Sequence, residues 1–221
     1  MKIIKRLVLI LMFMCLAGCS RNKIESISFK PVYPYRIVIN TPLTELGSQN
    51  IQLINESTFI IDDNKFTMNN GKITQIDLPD RTINSITLED WKTNQEENYL
   101  RYKDSLEKAN AYAELAESIK KLDFTPINKL YSFESKEKAY QDKKCRVLYS
   151  KETGELGINI LKILGASTDK LTKDNPVYIT YYIDKYNQVV YIGCNASNAV
   201  KASNGEDYQD LVLEIYTGIE N

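Results

Sequence analysis

From Tyr35 to Glu89 the chain is a series of short β-branched and aromatic runs separated by turn residues, a pattern that confines this half to an antiparallel sheet. The runs are YRIVIN at 35–40, IQLI at 51–54, TFIID at 58–62, a longer stretch at 63–80 and TINSITLE at 82–89. Asn70-Gly71 stands between Lys65–Met68 and Lys72–Ile76. Both residues tolerate positive φ, as a two-residue hairpin turn requires. Asp62-Asp63-Asn64 supplies a second polar turn. A calcium loop would need oxygen ligands at alternate positions, but Phe66 breaks that pattern, so these three residues read as a turn.

The second half mixes periods. Residues 94–122 contain no Gly or Pro and repeat apolar side chains at spacings of three and four: Tyr99, Tyr102, Leu106, Ala109, Ala113, Ala116, Ile119 and Leu122. This predicts one long helix, packed on its own sheet rather than on a partner, because the seam is shorter than three heptads. A short helix is expected at 135–143, beyond Pro126. CRVLYS (145–150) and LGINILKIL (156–164) read as strands about a Thr153-Gly154 turn, and 177–194 as a further hairpin. In that hairpin Tyr178, Thr180 and Tyr182 share one face, and Ile179, Tyr181 and Ile183 the other. Residues 205–219 fit either a helix or a final strand. The expected class is α+β: an antiparallel meander first, then one long helix and a second antiparallel hairpin region. The body spans 35–221, with 35–90 and 91–221 as candidate subdomains.

The chain opens with Lys2, Lys5 and Arg6, then ten unbroken apolar residues from Leu7 to Leu16, then Ala17 and Gly18. This is the order of a secretory signal, and the run is too short to span a bilayer. The ending Leu16-Ala17-Gly18-Cys19 resembles the lipobox of bacterial lipoproteins. The resemblance covers residues 1–20 and implies a diacylglycerol thioether on Cys19, cleavage just before it, and loss of Cys15 with the leader at 1–18. Residues 19–34 would then tether the body to the bilayer. It also implies a cell-membrane location on the extracytoplasmic face, or the outer membrane in a Gram-negative cell, since Ser20 rather than aspartate follows the cysteine. Richness in Lys, Asn, Ile and Tyr tilts the reading toward a Gram-positive source. The stretch LPDRTINSITLED at 78–90 is similar to one in uncharacterised lipoproteins of low-GC Gram-positive bacteria, which implies location and no activity.

Without residues 1–18 the chain carries 25 basic and 29 acidic residues, a formal charge of −4 that argues against a nucleic-acid partner. Cys145 and Cys194 remain besides Cys19, and export leaves two alternatives: a disulfide or two buried thiols. There is no histidine, which removes Ser-His-Asp and Cys-His catalysis and the common zinc sites. Ser-x-x-Lys occurs at Ser105–Lys108 and Ser118–Lys121, but inside the expected helix and without its companion motifs. No phosphate-cradling glycine loop is present and no cofactor is called for. Tyr178, Tyr181, Tyr182, Tyr186 and Tyr191 are the candidate contact surface, because tyrosine combines area with a polar tip; the bland alternative is that tyrosine simply favours strands. Tyr186 is the one expected to be most exposed. The function this points to is binding an envelope protein, a peptide or cell-wall material. A structural envelope subunit and a carboxylate-based cell-wall hydrolase are the alternatives.

Overall fold

The computed structural model describes residues 29, 33–70, 72–78, 81–84, 108, 111–124, 138–141, 143–205 and 211–217. The fold is mainly β. Strands β1 (Tyr35–Asn40), β2 (Gln49–Asn55), β3 (Thr58–Ile61), β4 (Asn64–Asn69), β5 (Lys72–Leu78) and β6 (Arg81–Asn84) form the predicted meander. Strands β7 (Lys138–Tyr140), β8 (Lys143–Glu152), β9 (Val177–Ile183), β10 (Val189–Asn195) and β11 (Val212–Thr217) follow. Described helices are α1 (111–120), α2 (Glu155–Ile163) and α3 (Ser197–Asn204).

All eleven strands lie in one order, β6-β5-β4-β3-β2-β1-β11-β10-β9-β8-β7, and every neighbouring pair is antiparallel. The turns behave as their residues require. Asn69 pairs with Lys72 across Asn70-Gly71, and Asn70 has φ 51°. Ile61 pairs with Asn64 across Asp62-Asp63, at φ 50° and 63°. Aspartate and asparagine reach this left-handed region more easily than other side chains. β11 lies between β1 and β10, so one sheet runs through both 35–90 and 91–221.

Alternation along the strands separates two faces. Ile37 and Ile39 of β1, Ile51 and Leu53 of β2, Phe59 and Ile61 of β3, and Phe66 of β4 are buried on one of them. Ile179, Tyr181 and Ile183 of β9, Ile192 and Cys194 of β10, and Leu213 and Ile215 of β11 continue that face. The buried sides of the three helices complete the same cluster. Helix α1 contributes Tyr112, Ala113, Ala116 and Ile119, with Tyr112 edge-on to Phe66 at 5.7 Å. Helix α1 therefore packs on its own sheet; one long helix over 94–122 is not shown, since the described helix ends at residue 120 and residues 94–107, 109 and 110 lie outside the described residues.

Three expectations are corrected or resolved. Residues 156–164 were expected as strand, yet Glu155–Ile163 is helix α2. A short apolar run suits either state; here Gly157, Ile160, Leu161 and Ile163 fall on one buried side, and Glu155 and Lys162 complement the helix dipole. Gly157 lets α2 approach β8 closely, since a Cβ there would stand 2.9 Å from the Glu152 carbonyl oxygen. The expected helix at 135–143 is replaced at Lys138–Tyr140 by edge strand β7, whose pairing with β8 outweighs local propensity. The alternative left open at 205–219 resolves as strand over Val212–Thr217.

Candidate functional site

On the face opposite the core, strand pairing gathers a row of tyrosines. Register places Tyr182 of β9 beside Tyr191 of β10, and Tyr191 beside Tyr216 of β11. Arg36 of β1 pairs with Tyr216, and Tyr140 stands on β7 at the other end. Ring centroids lie 5.5 Å apart for Tyr140–Tyr182, 5.1 Å for Tyr182–Tyr191 and 5.3 Å for Tyr191–Tyr216. Tyr140 also meets Tyr191 at 5.5 Å. The tilted and edge-on geometries are those that aromatic quadrupoles favour. The Arg36 guanidinium sits 4.4 Å from the centre of the Tyr216 ring, a cation–π contact.

Glu214 holds the row together. Its carboxylate accepts the Tyr191 hydroxyl at 2.6 Å and the Tyr216 hydroxyl at 2.9 Å. Gly193 makes room for this, because a Cβ there would lie 2.5 Å from the Tyr191 hydroxyl oxygen. Two buried polar atoms of the row, Arg36 Nε and Tyr140 Oη, have no hydrogen-bond partner among the described residues. Such groups are rare in folded proteins and each calls for a reason.

Burial, reinforced by Glu214, pushes the Tyr216 phenol up to about 12, and raises Tyr191 in the same sense. Burial also raises Tyr140. The folded state thus holds these protons more tightly than the unfolded chain does. The associated stability is fully present below the ordinary tyrosine value near pH 10 and is lost as pH rises toward 12. Urea melts across that range are expected to show a steady fall in stability that is smaller in Tyr216→Phe than in wild type. An equal fall in both would contradict this.

The other candidate residues are distributed as follows. Tyr178 lies on the row's face, with the Lys151 ammonium 5.5 Å from its ring centre. Tyr181 is corrected: it is 2% exposed, packs in the core edge-on to Phe124, and offers no contact surface. Its alternation with Ile179 and Ile183 already placed it there. Tyr186 is 69% exposed at the β9–β10 turn. Cys145 and Cys194 are separate buried thiols. Cys194 pairs with Ile179, which pairs with Ser150, five residues along β8 from Cys145; at ~3.3 Å per residue this exceeds disulfide reach. Burial raises both thiols, so neither is a reactive thiolate. Cys19 lies outside the described residues. Sequence reasoning missed Tyr140, Tyr216, Arg36 and Glu214. The usable signal for the last was a lone carboxylate alternating between Leu213 and Ile215.

No family model matches the chain and no curated protein matches it. Among solved structures, the Mycobacterium tuberculosis lipoprotein LppX is similar over 83% of this chain and 84% of its own, at 9% identity and a TM-score of 0.37. At that level the likeness assigns neither a fold family nor a ligand. No helix among the described residues is long and apolar enough to cross a membrane. Also among the described residues, no group of three or more Cys, Asp or Glu side chains could hold a metal ion.

Proposed function

We propose that the protein is a lipid-anchored extracytoplasmic binding module, held to the bilayer by acylated Cys19, and that it works by contact rather than by catalysis. The observation that supports this reading best is the tyrosine row with Arg36 and Glu214, set on the sheet face that the hydrophobic core does not use. Tyrosine and arginine are the residues that concentrate at contact surfaces. Among the described residues, three of the carboxylates near this face and its turn are already engaged: Glu214 by two phenols, Glu152 by the Ser150 hydroxyl at 2.5 Å, Asp184 by backbone amides. The partner class is an envelope protein, a peptide or cell-wall material.

In-cell crosslinking of the tagged full-length protein, followed by mass spectrometry, tests the proposal. The comparison is Tyr182→Ser, which removes the middle of the row, against Lys162→Ala on the exposed side of α2, across the core from the row, as a control. One dominant protein captured by wild type and lost in Tyr182→Ser would mean a protein partner. Cell-wall fragments lost in the same way would mean a saccharide ligand. Capture that is unchanged by Tyr182→Ser, in a variant with wild-type circular dichroism, would remove the row from this role.

A further inference from the structure

A groove of about 930 Å³ opens where β8 begins and the β9–β10 turn ends the sheet. Its volume falls in the range of small-ligand sites, ~300–1,000 Å³. Lys143, Arg146 and Lys185 line it, all three exposed, together with Lys144. Arg146 donates through one Nη to the Asn187 side-chain oxygen at 2.6 Å, which fixes its planar fork at the rim. The Lys185 ammonium sits 4.9 Å from the centre of the Tyr186 ring, so charge and aromatic face are presented side by side.

Among the described residues, the one carboxylate lining the groove is already committed. Asp184 is 9% exposed and accepts the backbone N–H groups of Tyr186 at 2.8 Å and Gln188 at 2.9 Å. A further turn bond runs from the Asp184 N–H to the Gln188 carbonyl at 2.9 Å. Asp184 therefore builds the turn that carries Lys185 and Tyr186. Four cations thus line one groove, around a turn that Asp184 holds in place.

We infer that this groove binds a phosphodiester of a polyol or sugar. Lysine and arginine together suit a tetrahedral, multiply accepting anion. The exposed Tyr186 ring suits the C–H face of an adjoining polyol or sugar unit. An acidic peptide is the weaker fit: three of the four cations are lysines, point charges that suit phosphate and lack the planar match that arginine gives a carboxylate. The groove adjoins the tyrosine row, since Tyr140 pairs with Lys143 and Tyr182 precedes Ile183, but the cations and Tyr186 that make it are not members of that row.

The test is a calorimetric titration of the processed domain, residues 20–221, with a soluble glycerol-phosphate oligomer and with an uncharged dextran fragment. Phosphatidylglycerol and phosphatidylcholine vesicles form a parallel arm. The oligomer is expected to bind, the dextran not, and affinity to fall as salt rises. Lys143→Ala and Lys185→Ala, both at exposed positions, should each weaken binding about tenfold, as loss of a hydrogen bond to a charged group does. Capture by phosphatidylglycerol vesicles in place of the oligomer, with the same lysine dependence, would support the site and identify the source as a lipid headgroup. Equal binding of dextran, indifference to both lysines, or binding of neither phosphate probe would overturn it. The titration needs no captured partner, so failure of the groove is read separately from failure of the row.

Discussion

Cys19→Ser should abolish incorporation of a labelled fatty acid into the full-length protein and leave a heavier form that retains residues 1–18. The thioether requires a thiol nucleophile, which serine lacks, and in the lipoproteins that the leader resembles cleavage follows lipidation. The energetic consequence is large, because each buried CH₂ holds with ~0.8 kcal/mol and two or more chains make anchoring stable where one does not. No helix among the described residues offers a substitute span. A companion form beginning at Ser20, behind an ordinary cleavable secretory signal, should partition into the aqueous phase of a detergent separation. Fatty-acid label persisting on Cys19→Ser would overturn the anchor, as would membrane retention of the companion form.

The second large effect is on stability. Phe59 is fully buried and stacks on Phe66 with centroids 5.2 Å apart and planes 16° from parallel; Phe66 in turn meets Tyr112 of α1. Phe59→Ala removes the ring that joins β3 and β4 beneath the helix. The expected cost is ~3–5 kcal/mol, lost transfer energy plus the cavity left behind. That is a shift of roughly 10 °C in Tm for a chain of this size. Denaturant unfolding measures it: a lower midpoint at unchanged slope is expected. A loss below about 1 kcal/mol would mean that the helix does not close over this part of the sheet.

The meander was legible because its turns are made by two residues whose backbone preferences are strong and local. Asn70-Gly71 and Asp62-Asp63 each fix a register, and register fixes every side chain between them. Helix α2 was not legible, since nine residues of mixed β-branched and leucine character satisfy both periods until their surroundings choose. The row was half legible. Tyr178 and Tyr182 could be assigned a shared face by alternation and Tyr181 the opposite one, whereas placing Tyr191 beside Tyr182 needs the hairpin register. Arg36, Tyr216 and Glu214 could not be joined to them, because that requires knowing that β11 enters the sheet between β1 and β10. No local pattern encodes a pairing between residue 36 and residue 216.

That insertion also orders events during synthesis. Strand β1 pairs from Asn40 to Val212, so one of its edges has no native partner until β11 has been made. At roughly 5–20 residues per second, the wait is on the order of ten seconds or more. Long-range closures of this kind are slow to form even in a finished chain. The N-terminal meander cannot lock into the complete sheet early, and under the proposed lipid-anchored role this delay keeps the thread open for export, with the final seam sewn last.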